Sequence, residues 1–167
     1  MLKKNNFKIG TLGSLVIATA IGGLATQAMA DVKVGALYPL SGGLALLGEE
    51  SYRGLELAVD QINNNGGVQG ETVVLEIGDA VDNNQAIGEA RRLISQEDVK
   101  AIFGTFSSAR AIAASQVAQL SQVPYFELGA VADDVTERGL SYVFRTNPAA
   151  SNFAETIIDM LVNGISP

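Results

Sequence analysis

Between Asp31 and Pro167 short apolar runs alternate with longer stretches of helical period, and no other feature of the sequence constrains the fold as much. Val32 to Tyr38 reads as a strand, ended by Pro39 and the loop Leu40-Ser41-Gly42-Gly43. From Glu49 to Asn63 the residues Tyr52, Leu55, Ala58, Val59 and Ile62 fall at three- and four-residue steps, the spacing of one helical face, and Gly66-Gly67 closes that helix. The unit then repeats. Thr72 to Ile77 is a strand and Asn84 to Gln96 a helix with Ala86, Ile87, Ala90, Leu93 and Ile94 on one face. Ala101 to Phe106 is a strand, followed by a helix over Ser108 to Ser121 with Ile112, Ala113, Val117 and Leu120 facing inward. Pro124 to Leu128 and Tyr142 to Arg145 are further strands, and Phe153 to Val162 a last helix carrying Ile157, Ile158 and Leu161. No hairpin signal interrupts the series. Parallel neighbours need crossovers of a dozen or more residues, and these are right-handed, so the pattern predicts an α/β fold, a doubly wound and mostly parallel sheet with helices on both faces.

The first thirty residues follow another logic. Lys3, Lys4 and Lys8 precede an apolar run, Ile9 to Ala25, and Ala28-Met29-Ala30 stands just before Asp31. That is the layout of a signal peptide, with cleavage predicted after Ala30. A retained membrane anchor is the competing reading, because about 20 apolar residues can span a bilayer, but Gly10, Gly13, Gly22 and Gly23 weaken such a helix. The expected organisation is therefore a signal peptide over 1–30 and one lobe over 31–167.

Charge and composition narrow the chemistry. The whole chain has 11 Lys and Arg against 18 Asp and Glu, a net charge of −7. Three of those Lys and none of the acids lie before Asp31, so the exported part holds 8 basic and 18 acidic groups, net −10. Such a surface repels phosphate, and nucleic acid is not an expected partner. With neither Cys nor His, the chain has no thiolate or imidazole metal site and no Ser-His-Asp relay. The lack of Cys near residue 30 also leaves no thiol to carry a lipid anchor.

In an open α/β sheet, ligands settle beyond the carboxyl ends of the strands. Three loops there are candidates: Ser41 to Gly48, Thr105 to Arg110, and Gly129 to Asp133. The second runs from a strand straight into a helix. Ser107 or Ser108 can offer a hydroxyl, and the free amides from Ala109 onward offer further donors, all without formal charge, which suits a carboxylate. The plainer role of both serines is to cap their helix. No G-x-G-x-x-G, phosphate loop or G-x-S-x-G elbow is present. Asp79, Asp82, Asp133 and Asp134 read as turn and cap residues, Arg138 and Arg145 as partners in surface ion pairs, and Tyr38 and Tyr125 as core residues with wet hydroxyls.

Taken in order, several segments resemble a known family. They are Tyr38-Pro39-Leu40-Ser41-Gly42, Asn63-Asn64-Asn65-Gly66-Gly67-Val68-Gln69-Gly70, Gly104-x-x-Ser107-Ser108, Val123-Pro124-Tyr125, Leu128-Gly129-Ala130, Thr136-Glu137-Arg138-Gly139 and Tyr142-Val143-Phe144-Arg145-Thr146. Together they resemble the amino-terminal lobe of the branched-chain amino acid and amide substrate-binding proteins of ABC transporters, of the type I periplasmic binding protein fold. The resemblance implies a hinged, two-lobed protein of which these residues hold one lobe. It implies a periplasmic monomer without cofactor or catalysis that delivers a small solute to a membrane permease. It places the ligand carboxylate at Ser108, with Ser107 beside it, and the ammonium at backbone carbonyls and a Thr hydroxyl mapping to Gly129, Ala130 and Val131. Val131 replaces that Thr, Glu127 and Leu128 replace a small Ser-Pro, and Leu47 stands where an aromatic ring can face the ligand. An amino acid, an amide, or a carboxylate without an ammonium all fit the residues. The alternatives in other classes are a receptor ectodomain of the same architecture and a secreted α/β hydrolase, the latter lacking any general base beside a Ser.

Overall fold

The structure is a computed structural model, and it describes residues 31–164; the proposed signal peptide and its cleavage point after Ala30 lie outside the described residues. Five strands make one sheet: β1 (Val32–Tyr38), β2 (Val73–Asp79), β3 (Ile102–Gly104), β4 (Tyr125–Glu127) and β5 (Val143–Arg145). Four helices connect and follow them: α1 (Ala45–Asn64), α2 (Asn83–Ser95), α3 (Ser108–Leu120) and α4 (Ala150–Asp159). Strand order is β2-β1-β3-β4-β5 and every pairing within the sheet is parallel.

Because β2 lies on one side of β1 and β3 on the other, the right-handed crossovers must run over opposite faces of the sheet. Leu37, Ile102, Tyr125 and Val143 pack with α2 and α3 into a core that includes Ala86, Ala90, Leu93, Ala111, Ala114 and Ala118. The other face carries Val32, Val34, Val73 and Phe103 opposite Leu55, Val59 and Ile62 of α1, across a groove of about 270 Å³. Side-chain hydrogen bonds secure several joints. Asn63, near the end of α1, donates to the Val73 carbonyl at 2.9 Å and accepts from the Val73 amide at 2.8 Å, imitating strand pairing at the start of β2. Asp82 caps α2 by accepting from the Gln85 amide at 2.9 Å.

The structure departs from the sequence-based expectations in five places. First, α1 begins at Ala45, after a 3-10 turn over Gly42–Leu44, so the loop predicted as Ser41 to Gly48 is largely helical. Gly48 reads as loop in the sequence, but its missing side chain lets the first turn rest on Pro39, whose carbonyl oxygen would lie 2.0 Å from a Cβ there. Second, β3 and β4 are three residues each; beyond them the amides turn to a side chain rather than to a neighbouring strand. Third, α3 buries Ala111, Ala114, Ser115 and Ala118, while Leu120 is 77% exposed. Small residues let α3 lie close to Ala86 and Ala90 of α2, and this close approach decided the face. Fourth, Arg138 and Arg145 form no ion pair among the described residues. Arg138 donates to the carbonyls of Asp134 and Ile112 and to the Ser115 hydroxyl, and Arg145 to the Ala132 carbonyl at 2.7 Å. Fifth, the hydroxyls of Tyr38 and Tyr125 are dry, since both side chains are fully buried.

Candidate functional site

The switch in crossover direction falls between β1 and β3, and the loops after β1, β3 and β4 meet beyond it. Gly104, the last residue of β3, sits so close to β1 that a Cβ would lie 1.8 Å from the Leu37 carbonyl oxygen, and its φ of +146° is open to glycine alone. From there the chain passes through Thr105 and Phe106 into α3, with Ser107 as N-cap.

Ser107 makes no side-chain capping bond, and the first backbone bond of α3 runs from the Ala111 amide to the Ser107 carbonyl. The amides of Ser108, Ala109 and Arg110 therefore stand ahead of the helical ladder and donate to no partner among the described residues. They present the positive end of α3. The Ser108 hydroxyl accepts from the Ala132 amide at 3.2 Å, which joins the start of α3 to the loop after β4 and leaves the hydroxyl proton free to donate. Ser107, Ala109 and Arg110 line an open hollow of about 460 Å³ with Asp82, Asn83 and Asn84 at the start of α2.

The residues anticipated for an ammonium are arranged less simply. Ala130 and Val131 already use their carbonyls, the first accepting from the Asn147 side chain at 2.9 Å and the second from the Ala150 amide at 2.7 Å. The Gly129 carbonyl has no partner among the described residues. Leu47 stands exposed on the first turn of α1, and Val131 is exposed as well. The seven anticipated residues thus sit around the carboxyl ends of three strands without lining one shared cavity. Asp79 accepts from the Leu40 amide and the Ser41 hydroxyl, and Asp133 accepts from the Ser151 amide and hydroxyl, so these carboxylates serve as turn and cap groups. Both bonds from Ser151 hold the Asp133 carboxyl below its ordinary 3.8.

At the centre of the region is Glu127, whose side chain is fully buried. One carboxylate oxygen accepts from the amides of Phe106 (3.0 Å), Leu128 (3.1 Å), Gly129 (3.0 Å) and Ala130 (2.9 Å). The other accepts from the Thr105 amide at 2.6 Å and the Tyr125 hydroxyl at 3.0 Å. Burial pushes its carboxyl above the usual 4.5, and the amides of Ala130, Gly129 and Thr105 and the Tyr125 hydroxyl pull it back. Every partner is a donor, so the geometry suits the ionised form. The sequence marked Glu127 only as a departure from the family pattern. The signal was present: Tyr125 and Glu127 share a face of a buried strand, and a carboxylate there must be hydrogen-bonded.

Comparison with known proteins fits this geometry. A family model described as periplasmic binding protein matches residues 31–165. The chain belongs to this family. It is 67% identical over 157 residues to the Leu/Ile/Val-binding protein homolog 8 of Brucella suis biovar 1 (strain 1330), a match covering 94% of this chain and 38% of that protein. Among solved structures, it resembles the branched-chain amino acid transporter substrate-binding protein LivJ of Streptococcus pneumoniae in complex with isoleucine, with a TM-score of 0.69 and 30% identity over 71% of this chain and 34% of that one. It also resembles an R. palustris ABC transporter solute-binding protein in complex with benzoate, with a TM-score of 0.71 and 30% identity over 80% of this chain and 37% of that one. The chain thus spans under two fifths of the length of these relatives. The doubly wound parallel sheet is the architecture the family resemblance implied.

Proposed function

We propose that this chain is one lobe of the extracytoplasmic substrate-binding component of an ABC transporter, capturing a branched-chain amino acid or a related carboxylate and passing it to a membrane permease. The observation that carries the reading is the start of α3, where three free amides and the Ser108 hydroxyl converge with no positively charged side chain required. The ligands named for the two solved relatives, isoleucine and benzoate, share a carboxylate and little else. Ser108 and the Ala109 amide hold that carboxylate, with Ser107 at the rim. The signal peptide over 1–30, export to the periplasm and action as a monomer belong to the same proposal. A solute is enclosed to about 70 to 90% of its surface in sites of this kind, and the second wall comes from the rest of the protein.

The experiment is calorimetric titration of the full-length protein with L-isoleucine and with benzoate, and of its Ser108→Ala variant. Loss of one hydrogen bond to a charged group is expected to weaken binding by about tenfold or more. An unchanged affinity in Ser108→Ala refutes the carboxylate assignment, and conversion of the ligand to product refutes the binding role. A carboxylate without an ammonium is the second reading, favoured by the occupied carbonyls of Ala130 and Val131. Tighter binding of benzoate than of L-isoleucine would select it.

A further inference from the structure

Glu127 bridges two of the three loops that surround the site, and no step of ligand capture has yet used it. Its carboxylate draws five backbone amides inward, two from the loop after β3 and three from the loop after β4. Within a planar trans peptide the N–H and the C=O point in opposite directions. The Gly129 amide belongs to the same peptide as the Leu128 carbonyl, and the Ala130 amide to the same peptide as the Gly129 carbonyl. Turning these two amides toward Glu127 therefore turns the Leu128 and Gly129 carbonyls away from it, and neither accepts a hydrogen bond among the described residues. The peptides on either side are occupied. The Glu127 carbonyl accepts from the Thr146 amide, and the Ala130 and Val131 carbonyls are taken as described above.

We propose that Glu127 is a positioning residue for ligand selectivity, which by gathering the amides of both loops holds the Leu128 and Gly129 carbonyls outward as a paired acceptor for the ammonium of an amino-acid ligand. The inference rests on the carboxylate-binding reading above and on the ammonium position that the family resemblance implies, and what it adds is the part Glu127 plays in setting those carbonyls. Phe106 and Gly129 lock the arrangement: the Phe106 ring lies against Gly129, where a Cβ would come within 2.7 Å of it. Glu127 has no cation beside it among the described residues, so the inward-facing amides are what hold its charge. The same amides are thereby withheld from the ligand, whose carboxylate is left to Ser108 and the start of α3.

The test compares L-leucine with 4-methylpentanoate, the same skeleton without its amine, on the full-length protein and its Glu127→Gln variant. Glutamine keeps the shape but puts a donor where amides must be accepted. The preference for L-leucine is expected to fall by about tenfold or more in the variant, the size of losing an ammonium's hydrogen bonds, while affinity for 4-methylpentanoate stays within about threefold. A residue that merely stabilised the fold would weaken both ligands alike, and an equal loss, or no change in either, overturns the proposal. Should Glu127→Gln not fold, Glu127→Asp, which withdraws the charge by one methylene, is read by the same ratio. If the unmodified protein binds neither probe, the branched-chain reading fails by itself, and carbonyl and amide chemical shifts in the ligand-free protein decide the rest. Joint displacement of the Thr105, Phe106, Gly129 and Ala130 amide signals and the Leu128 and Gly129 carbonyl signals in Glu127→Gln supports the positioning role. Unmoved carbonyls overturn it.

Discussion

Tyr38 and Tyr125 are both fully buried phenols at the ends of strands, and they differ in what their hydroxyls meet. Tyr125 donates to Glu127 at 3.0 Å, whereas the Tyr38 hydroxyl has no hydrogen-bond partner among the described residues. Burial, and then the nearby Glu127 charge, pushes both phenols above the usual 10. A buried hydroxyl without a partner loses its hydration for nothing in return, so Tyr38→Phe is expected to leave stability unchanged or raise it by about 1 kcal/mol. Tyr125→Phe removes a bond to a carboxylate and is expected to destabilise by about 1.5 to 3 kcal/mol. Urea denaturation of the two variants checks the contrast, and equal effects would contradict it. Neither difference was legible in the sequence, where both residues read alike as apolar-strand tyrosines. A hydroxyl's partner comes from a segment its own periodicity does not describe.

At the scale of elements, the central contact is between α2 and α3, and it is made of alanines. Ala86 and Ala90 face Ala111, Ala114 and Ala118 in one core. Alanine offers no bulk to fill a gap, so the two helices pack close, and an added side chain has nowhere to go. Ala114→Leu is expected to cost about 1 to 3 kcal/mol by overpacking, while Leu120→Gln, at a solvated position, changes stability by no more than about 0.5 kcal/mol. Thermal melts of the two variants test the pair. Of the residues the sequence placed inward on that helix, Ile112 and Val117 do pack, partly buried, against this core, whereas Leu120, one of its larger apolar residues, stands in solvent. Hydrophobic size marks a core face only where the partner leaves room for it. In α2 the expectation and the structure agree on Ala86, Ala90 and Leu93, since apolar and small residues there fall on the same face.

Across the whole molecule, one side of the sheet is well covered and the other is not. Phe103, Phe126 and Phe144 stack along the α1 side, with ring centroids 4.9 and 5.3 Å apart. Phe144 is 46% exposed, and α4 has no buried residue, its Ile157 being 57% exposed. Exposed apolar side chains of this size drive association. The 167-residue chain is expected to bind an apolar dye and to self-associate with rising concentration, and Ile157→Lys with Leu161→Lys to reduce both. Because Ile157 and Leu161 are each more than half exposed, the melting temperature should move little. Sedimentation velocity and dye fluorescence measure the outcome, and association that persists undiminished in the double variant would place the sticky surface elsewhere.

The order of strands and helices, the parallel sheet and the position of the serine loop at a helix start were all readable from residue order. They depend on periodicity and on turn residues, which act over a few neighbours in the chain. What the tertiary structure alone decided was the use of each polar group: that Glu127 gathers amides 21 and 22 residues upstream, that Asn147 takes the Ala130 carbonyl, and that Arg138 and Arg145 serve carbonyls rather than acids. Local pattern specifies which face of an element is apolar. Which buried donor meets which acceptor depends on how distant segments come together, and that pairing sets the chemistry at the site.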